Sequence, residues 1–191
     1  VAWGDFDNDG DLDIAIANDG AQAHLVYRNN GNGTFTNVTV ESGATGGAWG
    51  IGVAWCDYDS DGDLDFYLGT QVTHVDFLYK NLDTGTYNWI KINPLTAGPM
   101  KDTKQDSPAF RLAIGAWVEL DLDGGGDFAK GRGRYIAAVA GAGDGLASSA
   151  VPIHLGVGPA KTVDVRVSYP TGNVIRLLKV PVKRMIAVKD R

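Results

Sequence analysis

The sequence predicts an all-β chain in two parts: two propeller-blade-like β-repeats, then an antiparallel β-sandwich-like domain. Three observations carry this prediction. A nine-residue acidic loop occurs twice, 52 residues apart, and each copy runs directly into a short apolar segment. The duplication extends past the loop, so that a unit of about fifty residues is repeated. The second half is a series of short apolar-alternating runs separated by glycine-rich turns, which is the periodicity of strands rather than helices.

The loops are Asp5-Phe6-Asp7-Asn8-Asp9-Gly10-Asp11-Leu12-Asp13 and Asp57-Tyr58-Asp59-Ser60-Asp61-Gly62-Asp63-Leu64-Asp65. Five carboxylates in nine residues repel one another unless a hard cation neutralises them, and Ca²⁺ accepts six to eight oxygen ligands in flexible geometry. The glycine at the sixth place permits a sharp turn. Positions one, three and five then converge on one ion, with the carbonyl of the seventh and the carboxylate of the ninth completing the set. Two Ca²⁺ ions are therefore expected, one per loop. An EF-hand is excluded, because its twelfth position carries a bidentate glutamate and here holds Ile16 and Leu68. The loops lead instead into Ile14-Ala15-Ile16-Ala17 and Phe66-Tyr67-Leu68-Gly69, buried strands by pattern, which makes each loop a strand-to-strand connection. A solvated acidic turn and an aspartate phosphatase are the alternatives. The first leaves the repetition unexplained, and the second needs a helical context that the pattern lacks.

Residues 1–18 and 53–70 share ten identities in eighteen positions. Further on, Leu25-Val26-Tyr27-Arg28-Asn29 matches Phe77-Leu78-Tyr79-Lys80-Asn81, and Gly33-Thr34-Phe35 matches Gly85-Thr86-Tyr87. Each unit thus predicts a strand entering the loop, a strand leaving it, a third ending at Tyr-basic-Asn and a short fourth at Gly-Thr-aromatic. Four strands in such a length make a propeller blade or a similar β-repeat.

This combination of loop, apolar strand, Tyr-basic-Asn and Gly-Thr-aromatic resembles the FG-GAP/VCBS repeat of integrin α propellers and many extracellular bacterial proteins. The resemblance covers residues 1–96, as repeats of about 1–48 and 49–96. It implies calcium ligands at Asp5, Asp7, Asp9, Asp11 through its backbone, and Asp13, with the same roles at Asp57, Asp59, Asp61, Asp63 and Asp65. Family propellers have about seven blades, whereas two blades leave sheet edges that invite pairing, so a homo-oligomer formed through those edges is one expectation.

Residues 97–108, polar and broken by Pro99 and Pro108, read as a linker. Strands are expected after it at 114–122, 135–140, 153–155, 163–167, 174–178 and 185–188, forming a sandwich over residues 109–191. The runs Ala113-Ile114-Gly115-Ala116-Trp117-Val118, Ile153-His154-Leu155-Gly156-Val157-Gly158 and Val163 to Gly172 resemble, in order, the ASPIC/UnbV domain that follows FG-GAP/VCBS repeats in secreted proteins such as cartilage acidic protein. That resemblance implies a domain type and no chemistry.

At 44% apolar the chain can bury one good core or two small ones, and no segment reaches the length of a membrane span. The formal charge of −6 misleads about partners, since ten of the 23 acidic residues lie in the loops, leaving 13 against 17 basic residues. Basic residues predominate from residue 128 onward but without a stacking array, so nucleic acid is not an expected partner. Cys56 stands where the first repeat has Gly4, which reads as a small buried residue rather than a nucleophile. Of His24, His74 and His154, the last lies in an apolar strand. Ser148 and Ser149 lie near it in sequence, yet no nucleophile elbow, zinc spacing or phosphate loop accompanies them, and no enzyme is expected. Trp3, Trp49 and Trp55 are expected to pack between sheets; exposure of Trp49 and Tyr58 beside one loop would instead make a sugar-stacking pocket. The sequence begins inside a first strand, as expected of a piece of a longer protein. The expectation is a secreted, extracellular or periplasmic calcium-binding module for adhesion or protein binding, with a protein or glycan ligand. A carbohydrate-binding protein is the first alternative and a hydrolase or lyase the second.

Overall fold

A computed structural model of the chain describes residues 1–20, 22–45, 49–71, 75–82, 85–97, 110–125, 128, 135–138 and 152–190. Among these there are fifteen strands and no helix, so the all-β class holds and no helix is long and apolar enough to cross a membrane. The chain divides into two compact units at Tyr87/Asn88.

In the first unit β1 (Ala2–Gly4), β2 (Asp13–Ile16), β3 (Leu25–Asn29) and β4 (Phe35–Asn37) form an antiparallel sheet in sequence order. β5 (Gly50–Cys56), β6 (Asp65–Thr70) and β7 (Phe77–Tyr79) repeat its first three strands. The expected fourth strand of the second repeat is absent: residues 85–87 are not in a strand, and the chain passes at Asn88 into a strand of the second unit. Both acidic loops are hairpin connections. Gly4 pairs with Asp13 across the first, and Cys56 with Asp65 across the second, so the ninth aspartate of each loop is the first residue of the returning strand.

One core joins the two sheets of this unit, with Ala2, Ala15 and Val26 on one side and Val53, Trp55, Phe66 and Leu68 on the other. Small residues in the first sheet admit large ones from the second. A Cβ at Gly4 would lie 2.5 Å from Cδ1 of Trp55, which explains why the first repeat has glycine where the second has Cys56. Phe6 stacks on Trp55 at 5.7 Å between centroids, Trp55 meets Phe66 at 5.4 Å, and Phe66 meets Tyr79 at 5.6 Å. Such pairs add about 0.5–1.5 kcal/mol each beyond their buried area.

The second unit has two sheets. β8 (Asn88–Ala97) lies between β12 (Ile153–Gly158), antiparallel, and β15 (Arg184–Asp190), parallel, while β9 (Phe110–Leu112) pairs with the far end of β8. The other sheet runs β11 (Tyr135–Ala138), β10 (Trp117–Asp121), β13 (Thr162–Ser168) and β14 (Val174–Pro181), antiparallel throughout. Alternate residues of both sheets, Ile90, Ile92, Val118, Leu120, Leu155, Val163, Val165, Val167 and Val188 among them, fill one core. β8 supplies two of these, although the sequence reading places its residues at the end of the second repeat. The 97–108 linker expectation lies outside the described residues apart from Ala97, which ends β8. β8 and β15 are the one parallel pair among the described strands, possible because the chain between them is long enough to cross over.

Candidate metal centres

The two acidic loops fold alike, hydrogen bond for hydrogen bond. The first aspartate accepts from the glycine N–H: Gly10 N to Asp5 Oδ2 at 3.0 Å and Gly62 N to Asp57 Oδ2 at 2.9 Å. The third and fifth make local turns, Asp9 N donating to Asp7 Oδ1 and Asp11 N to Asp9 Oδ1, with Asp61 N to Asp59 Oδ1 and Asp63 N to Asp61 Oδ1 in the second loop. The ninth is held on both oxygens. Asp13 accepts from Phe6 N at 2.9 Å and Asn29 N at 2.8 Å, and Asp65 from Tyr58 N at 3.1 Å and Asn81 N at 2.9 Å. Each loop turns through two residues with positive φ, Asn8 (60°) and Gly10 (105°), Ser60 (64°) and Gly62 (100°). Values near 100° belong to glycine, which accounts for the sixth position.

This scaffold brings carboxylate oxygens of Asp5, Asp7 and Asp13 within 4.8 Å of one another, and likewise those of Asp57, Asp59 and Asp61. Asp9 and Asp65 lie outside those groups. At the seventh position Asp11 is exposed, and Asp63 Oδ1 accepts from Asn8 Nδ2. The donor sets are all hard oxygen, the set that suits Ca²⁺ rather than zinc or copper.

Two observations test the fit of a cation. Asp5 is 4% exposed, and its Oδ1 has no hydrogen-bond partner, a costly state for an ionised oxygen unless a positive charge meets it. In the second loop, a positive charge is already present: Lys80 Nζ pairs with Asp59 Oδ2 and lies 3.4 Å from Asp61 Oδ2. Its ammonium stands where cation neutralisation is needed.

The electrostatics agree. Burial, then Asp13, Asp9 and Asp7, push the Asp5 carboxyl up to about 8, against the N–H of Gly10, which lowers it. Burial lifts Asp13 to about 7 in spite of its two backbone donors. In the second loop burial raises Asp65, whereas the hydrogen bond from Lys80 lowers Asp59. The first loop is therefore the more buried and, without a cation, the more repelled.

Sequence reasoning missed the role of two recurring residues. The asparagine of Tyr-basic-Asn clamps the loop: beyond its N–H on the ninth aspartate, Asn29 Nδ2 donates to Leu12 O and Asn81 Nδ2 to Leu64 O. The basic residue before Asn81 is the counter-ion Lys80. Both were visible as repeat markers sixteen and fifteen residues after the ninth aspartate.

The aromatic expectations divide. Trp55 is buried between the sheets, but Trp3 and Trp49 are 41% and 46% exposed. Trp3 meets Phe35 edge-on and alternates away from the core, on a strand whose inward residues are Ala2 and Gly4. Trp49 and Tyr58 are both exposed, yet they flank opposite ends of seven-residue β5, which spans roughly 23 Å at 3.3 Å per residue, so Trp49 does not stand beside the loop that holds Tyr58. A cavity of about 520 Å³ between the sheets has Phe6, Trp55, Phe66 and Tyr79 among its lining residues, and these rings also pack on one another. Cys56 is half-buried, with a thiol raised by burial and by Asp65 and Asp57, which suits no nucleophile. His24 is fully buried, its Nδ1 accepting from Asn18 N, and His154 stacks on Trp89 at 6.1 Å. His74, Ser148 and Ser149 lie outside the described residues.

No curated protein matches the chain. FG-GAP repeats occur in extracellular adhesion and binding proteins and are generally non-enzymatic. The family described as the FG-GAP-like repeat matches residues 5–68, a stretch that begins on the first aspartate of one loop and takes in all of the other.

Proposed function

We propose that the chain is a calcium-stabilised binding module of a secreted or periplasmic protein, in which each acidic loop holds one structural Ca²⁺. The observation that carries this reading is Asp5, a buried carboxylate with an oxygen lacking a hydrogen-bond partner, beside Asp7 and Asp13. Asp5, Asp7, Asp9 and Asp13, with the Asp11 carbonyl, would hold the first ion; Asp57, Asp59, Asp61 and Asp65, with the Asp63 carbonyl, the second. The cation supplies charge neutralisation and a rigid cross-link between the paired strands on either side. The surfaces beside the loops then keep one shape for a protein partner. Residues 109–191, which resemble the ASPIC/UnbV domain in sequence, would form a second β domain of the same module. Edge strands β4 and β7 offer a route to association with further copies.

The experiment is urea unfolding of the full chain in EDTA and in about 10 mM calcium. An ion with a dissociation constant of roughly 10⁻⁴ M stabilises the folded state by about 2.7 kcal/mol per site at that concentration. Coincident curves in the two conditions contradict the proposal.

A further inference from the structure

The two loops are hydrogen-bonded to each other, and we infer that they take up calcium cooperatively, ordering of either loop by its ion raising the affinity of the other. This inference rests on the calcium reading above and adds to it the regulation of the paired sites.

Two links join the loops. Asn8, the fourth residue of the first loop and 1% exposed, reaches into the second, its Nδ2 donating to Asp63 Oδ1 at 2.9 Å and to Gly62 O at 3.4 Å. Gly62 in turn donates to Asp57. The second link is Asn81. Its N–H holds Asp65 Oδ1, and its side-chain Nδ2 donates to Phe6 O at 2.7 Å, while the N–H of Phe6 holds Asp13 Oδ2. Only Asn81 and Phe6 stand between the ninth aspartate of one loop and the ninth of the other. The link goes beyond the repeat: Asn29 and Asn81 each donate from the side chain to their own loop, at Leu12 O and Leu64 O, and Asn81 adds the bond to Phe6 O of the other loop.

The first ion must order its own loop and, through Asn8 and Asn81, part of its neighbour's. The second ion then meets a loop already held, which is positive coupling in conformational entropy. Direct repulsion between the ions opposes it, and the titration reads the balance of the two.

The test is calorimetric titration of the full chain with calcium at about 0.15 M salt. The second ion should bind roughly tenfold more tightly than the first, within the range of couplings between sites. By reciprocity, Asp5→Ala should weaken the second loop and Asp57→Ala the first, by one and the same factor. Asn8→Gly combined with Asn81→Ala should bind two ions independently; glycine is chosen because position 8 has positive φ. If that pair does not fold, Asn8→Gly alone should lose part of the coupling. A merely structural role would lower the urea midpoint in EDTA and leave the affinity ratio unchanged. Two independent sites in the unaltered chain, or an unchanged ratio in the variants, overturns cooperativity alone. No binding of calcium overturns the calcium reading with it.

Discussion

Replacing Asp5 by asparagine removes one charge and almost no volume, and it separates the cost of the acidic loop from the benefit of its ion. The introduced amide would retain an oxygen for Gly10 N–H and place its NH₂ group toward Asp7 and Asp13. Without calcium the Asp5 carboxyl sits at about 8 in the folded chain, against an ordinary value of 3.8. At pH 7 that difference makes the folded state less stable by about 4 kcal/mol, mainly through burial. Asp5→Asn should therefore stabilise the chain in EDTA by about that amount, a rise in urea midpoint of roughly 2 M for a slope of about 2 kcal/mol/M. The increment gained on adding calcium should shrink at the same time, because the first loop no longer binds. Urea unfolding by tryptophan fluorescence reads both. A variant less stable than the unaltered chain in EDTA, or one with an undiminished calcium increment, refutes the reasoning.

The pH dependence follows with its sign fixed. Asp5 and Asp13 are raised in the folded state, so their contribution to stability without calcium is fully present below about 3.8 and is lost as pH rises through about 7 to 8. Urea midpoints in EDTA should fall between pH 5 and pH 8, while calcium affinity should rise over the same interval; a midpoint that climbs with pH in EDTA contradicts this. Lys80→Met removes the tethered cation from Asp59 and Asp61 and should tighten calcium at the second loop by roughly two- to fivefold, as read by titration of a chain also carrying Asp5→Ala. Weaker binding at that loop is the opposing result. Gly4→Val drives a side chain into the Trp55 indole and should cost about 1–3 kcal/mol in urea unfolding, with an unchanged midpoint as the contrary outcome.

The parts of this structure legible in the sequence are those with local causes. The acidic loops declare themselves through glycine at the sixth place and the apolar run that follows, and each is the hairpin connection that this pattern demands. Strands β10 to β15 alternate clearly enough to be read with modest errors at their ends, as at Ile114, which lies in a turn before β10. What escaped depends on partners distant in sequence. Gly85-Thr86-Tyr87 matches a strand of the first repeat, but Asn88 onward pairs with β12 and β15, and nothing local announces that exchange. Trp3 and Trp49 look like core by residue type, yet Trp3 alternates outward on β1 and Trp49 lies exposed just before β5. Asn8 reads as one more polar loop residue, and its hydrogen bonds to a loop more than fifty positions away appear only when the sheets are stacked.

Equilibrium dialysis of the full chain against millimolar calcium, with the bound metal counted, decides whether the acidic loops hold ions. Two ions per chain are expected, falling to one in Asp5→Ala and one in Asp57→Ala. A chain that leaves dialysis with no bound calcium contradicts this expectation.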